Sequence, residues 1–191
     1  MKHGVTRQQI VAAADDLFYR QGFECTSFAD ITAAVNISRG NLYHHFKVKD
    51  DILDAVIEAR LCKTQDTLGQ WEADGATPME RIELYVKSLL CNWPLIKEHG
   101  CPVGTLCTEL AKLDHDARED SVKILALFRQ WLKNQFLALN SVEDPDVLAM
   151  QVLSWSQGVA SMGNAFKDLQ YVKREVQKMC DWLQAVPLNP K

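Results

Sequence analysis

Apolar residues recur at helical spacing along nearly the whole chain. Near the N-terminus, Ile10, Ala14, Leu17 and Phe18 lie three or four positions apart, as the buried face of one helix requires. No segment sustains the apolar–polar alternation of a half-buried β-strand, and no hairpin turn signal separates segments of that kind. The pattern predicts an all-α fold.

Capping residues and helix breakers mark the predicted helix boundaries. Thr6-x-x-Gln9, Ser27-x-x-Asp30 and Thr77-Pro78-Met79-Glu80 have the spacing of a capping box or N-cap. Gly22 is placed to end the first helix, and Pro94 should end or kink the helix that begins at Thr77. We count about nine helices, of which three short ones precede residue 49 and six longer ones follow.

The distribution of charge differs between the two parts of the chain. The 191 residues are 47% hydrophobic and carry a net charge of −4. Residues 1–49 hold six Lys and Arg against four Asp and Glu, a net charge of +2, so residues 50–191 carry −6. A basic head on an acidic body suits one small nucleic-acid surface. We therefore predict a DNA-binding domain over 1–48 and an effector-sensing and dimerisation domain over 49–191.

The sequence also favours a cytoplasmic location. No stretch reaches the roughly 20 apolar residues of a membrane span, and the first residues lack the apolar core of a secretory signal. The six cysteines are scattered without a CxxC pair, which is typical of free thiols in a reducing compartment.

Residues 26–53 have the pattern of two short helices joined by a tight turn at Asn36. Asn tolerates the left-handed conformation that such a turn needs. Apolar side chains can form a shared small core: Ile31, Ala34, Val35, Ile37, Leu42 and Phe46. Polar and small residues remain outward on the second helix: Ser38, Arg39, Gly40, Asn41, Tyr43 and His44. Arg can read guanine, Asn can read adenine, and Gly lets the backbone approach closely, so this is a candidate recognition helix.

At these residues the sequence resembles the TetR family of bacterial transcriptional regulators. The positions that match are Thr26, Ile31, Ala34, Val35, Ser38, Gly40, Leu42, Tyr43, His45, Phe46, Lys49 and Leu53. Two positions depart from the family pattern. Asn36 stands where a glycine is usual, and Val48 replaces a common Ser or Thr, which removes a cap or a phosphate contact.

The resemblance implies a role for each matched residue of the head. Thr26, Tyr43, His44 and Lys49 would contact phosphates, whereas Arg39, Gly40 and Asn41 would approach base edges. The alternative interpretation is that Tyr43 and His45 pack the head and that Lys47 and Lys49 are solvated. The resemblance also implies a dimer formed by the last two long helices.

The segment 100–107 places two thiols at the predicted start of a helix. A cysteine beside a helix N-terminus can have a lowered pKa, so Cys101 and Cys107 are candidate sensors of electrophiles or oxidants. The alternative is a sharp turn with small buried residues. His99 together with these thiols fits no compact metal site, and we expect neither a metal nor a cofactor.

Aromatic residues of the body are candidates for an effector pocket. With Cys101 and Cys107, the candidate set is Tyr85, Trp93, Phe128, Trp131 and Trp155. An ordinary helical core would use the same residue types at the same spacing.

Small residues near the C-terminus indicate a two-fold interface. The candidate set is Trp155, Gly158, Met162, Gly163, Met179 and Trp182.

The sequence therefore predicts a dimeric repressor that an unknown small molecule releases from a palindromic DNA operator. A first alternative keeps the DNA-binding role and makes cysteine modification the switch. A second is a helical protein-interaction module, which would have no use for Arg39 and Asn41 facing outward. We do not expect an enzyme, because the chain has no nucleophile elbow, HExxH motif or P-loop.

Overall fold

The computed structural model describes residues 6–190, which form ten α-helices. In chain order they are α1 (Arg7–Gln21), α2 (Phe28–Val35), α3 (Arg39–His45), α4 (Lys49–Asp74), α5 (Pro78–Cys91), α6 (Trp93–His99), α7 (Pro102–Lys112), α8 (Arg118–Leu139), α9 (Pro145–Phe166) and α10 (Leu169–Gln184). The described residues form no β-strand, and a single antiparallel bridge joins Ser141 to Leu188. The all-α fold predicted from the sequence is confirmed.

One helix more than the sequence indicated arises around Pro94. The predicted helix ends at Cys91, because Asn92 leaves the helical conformation with a ψ of 2°. Pro94 then lies in the first turn of α6, where a missing backbone N–H breaks no helical hydrogen bond. The helix therefore ends before Pro94, and the proline begins a separate short helix that the sequence did not indicate.

The three capping motifs read from the sequence are present as capping boxes. The Asp30 N–H donates to Ser27 Oγ at 3.2 Å, and the Ser27 N–H donates back to Asp30 Oδ2 at 2.8 Å. The pairs Thr6–Gln9 and Thr77–Glu80 make the same reciprocal bonds. Each box satisfies amide groups that a helix leaves unpaired at its first turn.

The described chain divides into two compact units. The first comprises residues 6–63 together with Thr105–Ile124, and the second comprises Thr64–Gly104 together with 125–190. The chain passes from one unit to the other within α4, α7 and α8. The predicted domain boundary at residue 48 remains a prediction, and the first unit extends beyond it.

The first unit has a core drawn from α1 to α4. Its fully buried side chains include Ile10, Ile31, Leu42, Ile52 and Leu53. Each such side chain stabilises the fold by about 1.5–3 kcal/mol relative to an exposed one. The partly exposed Asp15 carboxylate accepts a hydrogen bond from Nε of the buried Arg60 at 2.6 Å, which joins α1 to α4. The short helices of the head therefore rest on a shared apolar layer.

The second unit has its own, larger core. Ile82, Leu132, Phe136, Leu148 and Leu183 are fully buried within it. They come from α5, α8, α9 and α10, and Leu68 of α4 and Trp93 of α6 belong to the same core. No helix in the described part of the chain is long and apolar enough to cross a membrane.

Candidate nucleic-acid interface

The turn between α2 and α3 has a specific backbone geometry. Asn36 adopts the left-handed conformation with φ 54° and ψ 50°. Its N–H donates to Ala33 O at 3.2 Å, and the Ile37 N–H donates to Thr32 O at 3.0 Å. These two bonds are those of a Schellman motif, which ends a helix and redirects the chain. Asn36 therefore performs the role for which glycine is usual.

The second helix of this pair begins immediately after the turn and buries one side. Ser38 Oγ accepts the Asn41 N–H at 3.2 Å and caps α3. Leu42 is fully buried, and Phe46 follows it into the core. The predicted outward set is exposed as a group: Ser38, Arg39, Gly40, Asn41, Tyr43 and His44. Two short helices with an exposed polar face on the second one define a helix-turn-helix.

Tyr43 is exposed on α3, and its ring contacts α2. Its ring is 47% exposed, and its centroid lies 5.2 Å from that of Phe28 on α2. Lys47 Nζ donates to the Tyr43 carbonyl at 2.7 Å. The Phe28 contact limits the directions that the Tyr43 ring can take.

Thr26 does not occupy the position expected of a phosphate ligand. Its side chain is only 1% exposed, and Oγ1 donates to Gly22 O at 2.7 Å. A buried hydroxyl with an internal acceptor cannot reach a DNA backbone in this conformation. We therefore leave Thr26 out of the proposed DNA surface, where its resemblance to the family pattern had placed it.

Lys49 is also bonded within the head. Nζ donates to Phe23 O at 2.9 Å and to Glu24 O at 3.3 Å, and it lies 4.2 Å from the centroid of the Phe23 ring. The side chain is partly exposed. A phosphate contact by Lys49 remains a prediction. The sequence did not indicate that this side chain also bonds the backbone between α1 and α2.

Asp51 caps the start of α4 from within the helix, a bond that the sequence analysis did not identify. Its Oδ2 accepts the N–H groups of Lys47 and Val48 at 3.0 and 3.1 Å. Val48 precedes α4 and has no side-chain acceptor, so the carboxylate inside the helix caps it instead. An acidic residue at the third position of α4 was the sequence signal that could have predicted this capping bond.

Only part of the predicted effector-pocket set comes together in the second unit. Tyr85, Phe128 and Trp131 pack with Trp71 of α4, which is not in the predicted set. The Tyr85 hydroxyl pairs with Ser156 Oγ at 2.6 Å. Burial raises the pKa of Tyr85, the Ser156 bond lowers it by less, and the nearby Cys101 raises it further. Tyr85 is therefore neutral at physiological pH.

The other candidate pocket residues are not among these stacked rings. A Cβ added at Gly163 would meet Trp93 Cζ3 at 3.0 Å, so Trp93 packs against α9. Trp155 is half-buried against the core of the second unit. Cys107 belongs to the first unit, where its thiol donates to Ser121 O at 3.4 Å. Cys101 Sγ accepts the Gly104 N–H at 3.5 Å, which places it at the start of α7 as predicted.

The predicted dimer interface is partly on the surface and partly in the core. Gly158 and Met162 are exposed on α9, and Trp182 is half-buried on α10. Gly163 and Met179 are buried within the second unit, so they cannot form the expected interface. The exposed apolar residues that sequence reasoning missed on α9 are Val147, Met150 and Phe166, the last of which is 75% exposed.

The part of the chain that the structure describes contains no group of three or more His, Cys, Asp or Glu side chains placed to hold a metal ion. The His99, Cys101 and Cys107 combination weighed from the sequence is therefore not assembled as a metal site.

Known proteins share both the head sequence and the fold. The family model of the bacterial regulatory proteins, tetR family, matches residues 10–56. The transcriptional repressor DhaR of Mycobacterium sp. (strain GP1) is 27% identical over 128 residues, which cover 66% of this chain and 62% of DhaR. The transcriptional regulator LmrA of Bacillus subtilis (strain 168) is 31% identical over 122 residues, covering 62% of this chain and 64% of LmrA. The chain thus spans somewhat less than two thirds of the length of these two relatives.

A solved structure extends the likeness to the whole fold. The crystal structure of a TetR transcriptional regulator from Legionella pneumophila superposes with a TM-score of 0.83 at 23% identity, and the match covers 97% of this chain and 100% of that one. The chain belongs to the TetR family of bacterial regulatory proteins.

Proposed function

We propose that the protein is a DNA-binding transcriptional regulator that represses its target genes as a dimer on a palindromic operator. The observation that carries the proposal is the exposed face of α3. Arg39, Gly40, Asn41, Tyr43 and His44 lie together on a short helix that follows a fixed turn and has a buried opposite side. A helix of this kind enters the major groove with its first residues at the base edges.

The residues of α3 divide between sequence readout and affinity. Arg39 and Asn41 are the base-reading residues, because a guanidinium can bond guanine and an amide can bond adenine, each through two hydrogen bonds. Gly40 contributes by letting the backbone approach. Tyr43 and His44, further along α3, contact phosphates, and Lys49 contributes its positive charge to them while Nζ stays bonded to the Phe23 and Glu24 carbonyls. Phosphate contacts position the helix and make binding salt-dependent.

Dimerisation is proposed through the exposed side of α9 and the edge of α10. The surface includes Gly158, Met162 and Phe166 on α9, with Trp182 on α10. Exposed apolar side chains beside a glycine allow two copies of α9 to approach closely across a two-fold axis. A symmetric dimer in turn requires a palindromic operator.

Release from the operator is proposed to follow the binding of a small molecule to the second unit. The aromatic cluster of Trp71, Tyr85, Phe128 and Trp131 provides the apolar surface for such an effector. The effector must bind the released state more tightly than the DNA-bound state, because only differential affinity shifts the equilibrium.

DNA selection by the purified full-length chain tests the function directly. The protein is mixed with a random duplex library, and the bound fragments are sequenced after several rounds. We expect an inverted repeat whose half-sites are separated by roughly one helical turn or a multiple of it. Recovery of fragments with no shared motif would overturn the proposal.

The variant Arg39→Ala tests the assignment of α3. Loss of one base contact should weaken operator binding by about 1–3 kcal/mol and relax the base preference at one position of each half-site. Arg118→Ala, an exposed arginine at the start of α8, is the matched control and should bind normally. Circular dichroism shows whether each variant is folded. Unchanged affinity and base preference in folded Arg39→Ala would remove Arg39 from the readout.

A further inference from the structure

Two side chains of opposite charge form hydrogen bonds to the backbone of the connection between α1 and α2. Glu109, on α7, accepts the Phe23 N–H through Oε2 and the Glu24 N–H through Oε1, both at 3.0 Å. Lys49, the first residue of α4, donates from Nζ to the carbonyl oxygens of the same two residues at 2.9 and 3.3 Å. Phe23 and Glu24 thus have both backbone polar groups bonded to charged side chains. We call this arrangement the loop clamp.

The backbone before the clamp is shaped to admit the carboxylate. Gly22 has a φ of +91°, and a Cβ built there would lie 2.8 Å from Glu109 Oε1. Any other residue would therefore be strained and would push the carboxylate away. The Phe23 side chain is buried, and the ring of His115 meets it edge-on with the two centroids 5.1 Å apart. Gly22 therefore leaves room for the Glu109 carboxylate, and the buried Phe23 side chain anchors the loop next to it.

The clamped connection leads directly into the helix-turn-helix. Thr26 bonds back to Gly22, and Ser27 caps α2, which packs against α3. Glu109 lies more than eighty positions further along the chain, on a helix that begins in the second unit and continues into the first. It is therefore a residue outside the predicted DNA-binding domain that bonds the connection leading to that domain's second helix.

We propose that Glu109 is a positioning residue for operator binding, acting through the Phe23 and Glu24 amides. This inference rests on the DNA-binding function proposed above. Withdrawal of the carboxylate would leave the two N–H groups without their charged acceptor, and hydrogen bonds to charged groups are among the stronger ones in proteins. The head would then lose its fixed position on α7, and α3 would no longer be held ready for the groove.

Whether operator affinity falls or rises when Glu109 is removed distinguishes a positioning role from simple electrostatic repulsion. Glu109 is negative, and removing a negative charge from a DNA-binding protein should by Coulomb's law strengthen its attraction to phosphates. A fall in operator affinity on removing Glu109 therefore reports lost positioning. Because Glu109 makes no phosphate contact in the proposal, the dependence of affinity on salt should keep its wild-type slope.

The test compares Glu109→Ala, Glu109→Gln and the control Glu119→Ala in the full-length protein. Glu119 is an exposed glutamate in the first turn of α8. Affinity for the selected operator is measured at several salt concentrations. We expect Glu109→Ala to bind about tenfold more weakly with an unchanged salt slope, within the usual range of coupling between sites. Glu109→Gln, which keeps one acceptor oxygen, should fall between Glu109→Ala and the wild type, and Glu119→Ala should match the wild type.

Amide hydrogen exchange gives a readout that does not depend on DNA. The Phe23 and Glu24 amides should exchange faster in Glu109→Ala, while the amides of α9 and α10 keep their wild-type rates. Two outcomes would overturn the positioning role and leave the DNA-binding function standing. One is unchanged exchange at these two amides, and the other is operator affinity equal to or above wild type in folded Glu109→Ala or Glu109→Gln. If the wild type selects no DNA motif, the DNA-binding function fails and the positioning role fails with it.

A double-mutant cycle with Lys49→Met tests whether the two sides of the clamp act together. If Glu109 and Lys49 fix the same loop, the second substitution should cost less operator affinity once the first is present. Strict additivity of the two losses would contradict a shared clamp.

Discussion

Asp51 caps the helix in which it lies, because its Oδ2 accepts the N–H of Val48 at 3.1 Å across the start of α4. The same oxygen accepts the Lys47 N–H at 3.0 Å. A valine just before a helix supplies no acceptor for the orphan amides of the first turn. The carboxylate at the third helical position therefore supplies one half of a capping box, and a Ser or Thr at position 48 would supply the other half.

The first prediction follows from this cap. Asp51→Ala should lower the free energy of unfolding by about 1–2 kcal/mol, because two amides lose their acceptor. Val48→Thr should raise it by about 0.5–1 kcal/mol by adding the hydroxyl of an N-cap. Urea unfolding followed by circular dichroism measures both. Asp54→Ala, an exposed acid further along α4, is the control. Equal stability of Asp51→Ala and Asp54→Ala would show that the cap contributes nothing.

The second prediction concerns the left-handed turn at Asn36. Asn36→Val should cost about 1–2 kcal/mol of stability, because a β-branched residue is strained at φ 54°. Asn36→Gly should be tolerated and should keep operator affinity. Ala33→Val is the matched control, since it adds the same side chain at an exposed helical position of α2 and should cost only about 0.5 kcal/mol. If Asn36→Val were no less stable than Ala33→Val, the turn would not depend on the left-handed backbone.

Local chemistry explains why the head could be predicted from the sequence. The three capping boxes and the exposed face of α3 depend on residues within a few positions of one another. Glu109 could not be found in this way, because its partners Phe23 and Glu24 are brought to it only by the fold. Thr26 fitted a family pattern, but the pattern carries no information on burial, and the structure places its hydroxyl against Gly22.

The predicted interface on the C-terminal helices stays a prediction, but its inclusion of Gly163 conflicts with helix geometry that the sequence already shows. Gly158 and Gly163 lie five positions apart, which rotates them by about 140° around an α-helix. They therefore cannot share one face. Gly158 is exposed with open space around it, whereas Gly163 packs against Val172 and Trp93. The predicted small-residue patch ignored the rotation of successive residues around the helix. It therefore combined a surface residue, Gly158, with a core residue, Gly163.

The third prediction separates these two glycines. Gly158→Arg should give a folded monomer, because Arg favours helix but blocks close approach of a second α9. Gly163→Ala should instead destabilise the chain by about 1–3 kcal/mol through the added Cβ, which would lie 2.7 Å from Val172 Cγ2. Analytical ultracentrifugation over a range of protein concentrations and urea unfolding distinguish the two effects.

Gly69→Arg on α4 is the control for the dimer experiment, since Gly69 is also exposed and has open space around it. It should leave the association constant unchanged. If Gly158→Arg and the wild type associate equally, α9 is not the dimer interface. A wild type that is monomeric at micromolar concentration would contradict the proposed dimer itself.

The fourth prediction is the order in which the thiols react. Cys25, Cys62 and Cys91 are exposed, Cys101 and Cys107 are partly buried, and Cys180 is buried. Burial, followed by the negative charge of Glu83, raises the pKa of Cys180, which lowers its thiolate fraction at neutral pH. Because reactivity requires both access and thiolate, brief treatment with N-ethylmaleimide should label the exposed group first and Cys180 last.

Peptide mapping by mass spectrometry over a time course measures this order, and it bears on the alternative switch. The sequence made Cys101 and Cys107 candidate sensors, whereas the structure gives three other thiols better access. Labelling of Cys101 before Cys25 would contradict the predicted order and restore a reactive thiol at the start of α7. Operator release that follows Cys101 labelling in the wild type, and is lost in Cys101→Ser, would favour a cysteine switch. Release that is equal in Cys101→Ser would leave the small-molecule effector as the switch, because the thiol then makes no contribution to it.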